Sequence, residues 1–207
     1  METPQKWTDE QRNYAWIIMS YSRRKLQLTI SPCIASAFVL LHRYFNDPTH
    51  KNEPLYILMT SSIALACKIE GTFRGMQTIF AIISDCISEQ ISKFIKNKAR
   101  IKAIFGDRDF SSSQLTEEEL KMAGKCEIHL LNSIKWNMKI DLPFNHFNEA
   151  KPTYLLVGTS EPFDVALRDL CLIMKDEQYL LIPPEVSAAA AIEHSFCQCH
   201  FEEVTSN

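Results

Sequence analysis

Residues 54–70 read PLYILMTSSIALACKIE. From Leu55 to Cys67 no residue is charged, and apolar side chains fall on nearly every side of a helical wheel. A helix of that kind is buried all round. The run is too short to cross a bilayer, which takes about 20 apolar residues. It is therefore expected to be the central helix of a bundle. Pro54 stands at its start, Lys68 near its C-terminal end and Gly71 just beyond, where a left-handed residue closes a helix.

Working toward the N-terminus, Ser31-Pro32 is a start signal with proline in the first helical position. The helix it opens runs through Ile34, Phe38, Leu41 and Phe45 and stops before Asp47-Pro48. Before it, Thr8 and Gln11 form a capping box. That box opens a helix to about Lys25, with Tyr14, Ile17, Ile18 and Tyr21 on one face. Toward the C-terminus, GMQTIFAIISDCI (75–87) gives a shorter helix. Residues 88–115 carry Lys93, Lys96, Lys98, Arg100 and Lys102 and then GDRDFSSSQ, and read as a partly helical, mostly exposed insertion. Thr116 to Glu119 is a second capping box, opening a long helix to near Trp136. The first 140 residues thus give five helices. Pro143 begins a new segment. FNHFNEAKPTYLLV is weakly helical and interrupted by Pro152, a helix runs from Ser160-Glu161-Pro162 to Tyr179, and Pro183-Pro184 introduces a last helix.

The totals agree with an all-α reading. Five glycines and nine prolines in 207 residues favour long elements with few turns. A net charge of -3 gives no global attraction to nucleic acid or membrane. The seven cysteines are odd in number and mostly lie in apolar runs, which suits buried free thiols in a reducing compartment. METPQKWTDEQ lacks the apolar core of a secretory signal, so a cytosolic or nuclear protein is expected.

Two charges stand where apolar residues are expected. Leu120, Gly124, Glu127, Leu131 and Ile134 follow a four-three-four-three spacing that should face protein, with Glu127 in its middle. Lys68 ends the central apolar helix. The plain reading is a lysine suited to the helix dipole and a glutamate beside the stripe, or a simple ion pair. The alternative is that the two mark the edge of a partner surface.

Here the sequence resembles the cyclin family. IALACKIEGTFR (63–74) and CEIHLLNSIKWNMKIDLP (126–143) look like the two halves of the cyclin-box signature. Residues 12–45 fit the opening of the box, and CLIMKDEQYLLIPPEVSAAAAIEH (171–194) is similar to the start of a second cyclin fold. The match covers about residues 8–200 apart from the insertion, and is most like the transcriptional C, K, L and T types. It implies an all-α protein: a cyclin-box five-helix bundle over 8–142, with the insertion at about 88–115, and a second, shortened cyclin-like helical fold over 143–207. It implies a non-catalytic subunit that binds and activates a cyclin-dependent protein kinase as a heterodimer, in the nucleus, with the cytoplasm as a second location, in transcription or cell-cycle control. Lys68 and Glu127 would contact the kinase, with Ile69 and Leu131 adding apolar contact. The sequence departs from the family at His42, where an acidic residue is usual, at Gly71, where a second glutamate is usual, and in having no clear apolar substrate-docking patch. Arg12 is the candidate for the arginine of the first helix.

Other chemistry finds little support. Cys197-x-Cys199-His200 lacks a second pair of zinc ligands, so no metal or cofactor is expected. Phosphate loops, dinucleotide fingerprints and a nucleophile elbow are missing from the sequence, so neither an enzyme nor a small-molecule substrate is expected. Nucleic acid and membrane are not expected partners. The rival readings are a cyclin-box scaffold, or a nucleic-acid-binding module like an initiation factor, without kinase activation.

Overall fold

The computed structural model describes residues 7–94, 98–106, 108–155 and 161–205. It divides into two compact units, Met1–Lys139 and Ile140–Asn207.

In the first unit α1 spans Asp9–Lys25, α2 Ala35–Asn46, α3 Leu55–Ile69, α4 Met76–Phe94, α5 Lys98–Phe105 and α6 Glu117–Ser133. Helix α3 is buried without a break from Leu55 to Cys67 and packs against α1, α2, α4, α5 and α6. Its hydroxyls are satisfied inside the core. Thr60 donates to the Tyr56 carbonyl (2.8 Å), Ser62 to that of Met59 (3.0 Å) and Ser61 across to that of Ala123 in α6 (2.9 Å). A buried hydroxyl without such a partner costs about 1–3 kcal/mol. Both capping boxes are formed, Thr8 with Gln11 and Thr116 with Glu119.

Three details differ from the sequence reading. The helix expected at Pro32 is entered through a π-wound turn, Ile30–Ile34, before α2 proper. Pro32 has no N–H to give, and the first turn of a helix has no intrahelical acceptor to receive one. Helix α4 runs to Phe94, beyond the expected end at 87. The segment 88–115 supplies core as well as surface: Ile104, Phe105 and Phe110 are buried, Phe110 against Tyr56 (5.5 Å between ring centres) and Phe105. Arg108 fastens the same loop. It pairs with Glu119, lies 4.4 Å from the Phe80 ring centre and donates to the Gln114 carbonyl (2.7 Å). The side chains of Lys93, Lys96, Lys98 and Arg100 lie outside the described residues.

Trp7, just ahead of α1, is held by aromatic packing. Trp7 stacks on Phe45 (4.8 Å) and meets Phe38 and His42. Arg12 is buried, donates to the Trp7 carbonyl (2.7 Å) and pairs with Asp9.

The second unit contains α7 (Pro143–Leu155), α8 (Glu161–Ile173), a 3-10 turn (Glu177–Leu181) and α9 (Pro184–Thr205). Helix α9 packs on both α7 and α8. Phe163 fills the core between Phe147 and Phe196, each 5.9 Å away. Asp169 and His194 join α8 to α9 at 2.9 Å. Pro152, expected to interrupt α7, lies inside it. It sits one turn from the C-terminal end and is exposed, so the carbonyl it leaves unpaired is open to water. Helix α8 stops at Ile173, short of Tyr179, which is buried from the 3-10 turn instead.

Candidate functional site

Helices α3 and α6 run parallel. Tyr56 donates to Glu119 (2.9 Å), Ser61 to the Ala123 carbonyl, and Lys68 to Glu127, so the contacts advance together along both helices. The C-terminal ends of the two helices therefore lie at the same end of the first unit. Lys68 is the first residue of α3 after the buried run, in its last turn. Helix α6 buries Ala123, Cys126 and Leu130 against the core. The stripe Leu120, Gly124, Glu127 and Leu131 lies one step round the helix and is exposed or half-buried, with only Ile134 of that series buried.

The structure brings Lys68 and Glu127 into an ion pair on this rim. The lysine side chain is 45% exposed and the glutamate 15%. The glutamate is thus held in place by its surroundings while the ammonium remains reachable from solvent. Ile69 closes α3 and Leu131 lies one turn beyond Glu127, both half-buried. The four residues singled out from the sequence therefore form the rim between the two helix ends.

Other residues of this end were not visible from the pattern. Ile128 on α6, Phe73 after α3, and Trp136 after α6 are exposed, Trp136 by 57%. Helix α6 ends at Ser133, and its chain turns through Lys135 (φ 51°) and Trp136 (φ 61°), both left-handed. The Trp136 N–H donates back to the Leu131 carbonyl (2.9 Å) and that of Lys135 to Asn132 (2.9 Å). These are the two bonds of a Schellman motif. The indole Nε1 donates to Asn132 Oδ1 (3.0 Å), which fixes the ring. An exposed tryptophan is unremarkable in a sequence. A tryptophan pinned in a strained turn beside a rim ion pair emerges only once the backbone handedness is known.

Among the described residues, no group of three or more His, Cys, Asp or Glu is placed to hold a metal ion. Cys197 and Cys199 are not joined in a disulfide, and the side chain of His200 lies outside the described residues. No helix among the described residues is long and apolar enough to cross a membrane.

No family model matches the chain, and no curated protein matches it. Among solved structures it is similar to a chain of the yeast RNA polymerase II CTD kinase CTDK-1 complex. The TM-score is 0.66 at 16% identity, covering 91% of this chain and 55% of that one. The protein thus spans about half the length of the chain it resembles. At this identity the likeness shows the fold, which is all-α and cyclin-like.

Proposed function

We propose that this chain is a cyclin: a non-catalytic subunit that binds a cyclin-dependent protein kinase and holds it in its active conformation. The observation that carries this reading is the ion pair of Lys68 and Glu127, set on the open rim between the parallel ends of α3 and α6 and flanked by Ile69 and Leu131. Those are the positions at which a cyclin-like bundle would meet its kinase. A rigid helical surface suits that task, because a partner can shift a kinase's equilibrium only by binding one conformer better than the other. Docking would press the kinase's mobile regulatory helix inward and restore its lysine–glutamate pair. The exposed Ile128 and Trp136 would add apolar anchors to the same surface. The fold likeness to a chain of a CTD kinase complex supports a role in transcription and therefore in the nucleus.

The test is capture of protein kinases from native extract by the wild-type chain and by Glu127→Lys, followed by a kinase assay. The wild type is expected to recover an active kinase. Glu127→Lys, with an unchanged helical circular dichroism spectrum, is expected to recover none. Equal recovery by both chains would remove the rim from the interface. No kinase recovered by folded wild type would favour the scaffold reading.

A further inference from the structure

The second unit leaves apolar side chains uncovered on one face. Leu172 on α8 is 53% exposed and Val186 on α9 51%. Leu181 and Ile182, in the segment joining the two helices, are 81% and 39% exposed. Val186, Ala190, Glu193 and Cys197 follow a four-three-four spacing and are all exposed, so they form the outer face of α9. Open apolar surface of this kind marks an interaction site. Its two edges differ in charge. Arg168 and Lys175, two turns apart, flank Leu172 on the α8 side. Glu193 lies on the α9 side, and Glu185 opens the same helix. Among the described residues none of these four charges makes an ion pair. We propose that the α8–α9 face is a homodimer interface, covered by a second copy of this chain about a two-fold axis.

The charges select the axis. Helices α8 and α9 run antiparallel. Phe163 meets Phe196 (5.9 Å) at one end, Asp169 meets His194 (2.9 Å) further along, and the chain turns back through Glu177–Leu181 at the other. A two-fold axis lying across the helices would set α8 on α8, with the basic edges of the two copies together. Like charges so placed repel. An axis lying along the helices instead sets α8 of each copy over α9 of the other and keeps every residue at its own height. Arg168 stands at the height of the Asp169–His194 pair and hence of Glu193. Lys175 stands at the height of the first turn of α9, which holds Glu185. Each cation therefore meets a carboxylate of the second copy, twice over by symmetry. Leu172 falls over Ala189 and Ala190, both exposed, whose short side chains leave room for it. Asp164, a turn before Arg168, stands at the height of Cys197 and Gln198, which offer no like charge.

Leu181 and Ile182 lie where the chain crosses from α8 to α9, close to that axis, and meet their own counterparts. They are the apolar anchors, while the edge charges set register and exclude other arrangements. A face with one basic and one acidic edge is complementary to itself, which is what a second copy supplies. The surface uses neither Lys68 nor Glu127 and stands whether or not the first unit binds a kinase.

The experiment is sedimentation equilibrium of the full chain, whose monomer mass is 23.8 kDa, in dithiothreitol to prevent a cross-link through the exposed Cys197. Wild type is expected to reach twice that mass as its concentration rises through roughly 1–100 µM. Leu181→Glu is expected to remain monomeric with an unchanged helical circular dichroism spectrum, since Leu181 packs on nothing in its own chain that its exposure does not already show to be dispensable. Arg168→Glu and Glu193→Lys are each expected to weaken self-association about tenfold or more. The two substitutions combined in one chain are expected to restore it. Wild type that stays monomeric up to roughly 100 µM would overturn the proposal. A dimer that Leu181→Glu leaves intact would overturn it too, by moving the contact to another surface. A double variant as weak as either single one would overturn the axis along the helices.

Discussion

Two of the salt bridges that α6 makes with the rest of the first unit, Arg108–Glu119 and Lys68–Glu127, have surroundings that separate their roles. In Arg108–Glu119 the side chains are 8% and 14% exposed, and the guanidinium is packed on Phe80. Removing one member leaves the other buried and uncompensated, a loss of about 3–5 kcal/mol. Arg108→Ala should therefore lower stability by about 3 kcal/mol in urea unfolding, whereas Lys68→Ala, at a solvated rim, should cost about 1 kcal/mol or less. A loss for Lys68→Ala as large as that for Arg108→Ala would mark its pair as structural. Lys68 and Glu127 were legible in the sequence because each interrupts an apolar pattern. Arg108 was not, because it sits in the polar run GDRDFSSSQ and its partners Tyr56, Phe80 and Glu119 come from three other helices.

Three helices end in the same way. Leu28 donates to the Arg23 carbonyl after α1 (2.8 Å), Thr72 to Cys67 after α3 (2.8 Å) and Trp136 to Leu131 after α6 (2.9 Å). The left-handed residue is Gln27, Gly71 and Lys135 respectively. Only the glycine announces such a stop, because its missing Cβ is what makes the conformation cheap. A left-handed residue with a side chain costs about 1–2 kcal/mol. Lys135→Gly should accordingly stabilise the fold by about 0.5–1 kcal/mol after the glycine's extra unfolded-state freedom is subtracted. Gly71→Ala should destabilise it by about 1 kcal/mol, and this from backbone strain alone, since a Cβ there meets nothing within 4 Å. Thermal unfolding of both variants checks the pair of signs. The element starts were more legible than the ends for the same reason: a capping box is a local pattern of side chains, while π winding at Ile30–Ile34 and handedness at Lys135 are settled by what the neighbouring helices allow.

At the scale of the molecule, the all-α bundle was legible because α3 is uncharged from Leu55 to Cys67 and needs helices on every side. The burial that builds this core also fixes its response to alkali. Burial pushes the Cys126 thiol up to about 12, and raises Cys86, Tyr44 and Tyr56 as well. Cys33, held low, and its partner Cys67, held high, work in opposite directions. A raised group keeps its proton in the folded chain while the unfolded chain gives it up. Stability is therefore full below the ordinary thiol value of 9.0 and falls as pH rises toward about 12. The urea midpoint should be lower near pH 10.5 than near pH 8, and a midpoint that held or rose would contradict this burial. The turn after α6 has an optical consequence too. Of the three tryptophans, Trp7 and Trp16 are in the core, and Trp136 alone presents its indole to water. The chain therefore carries its own fluorophore at the rim: red-shifted emission open to a soluble quencher belongs to Trp136, and any macromolecule that covers this end of the bundle changes the colour of the light without a label being attached.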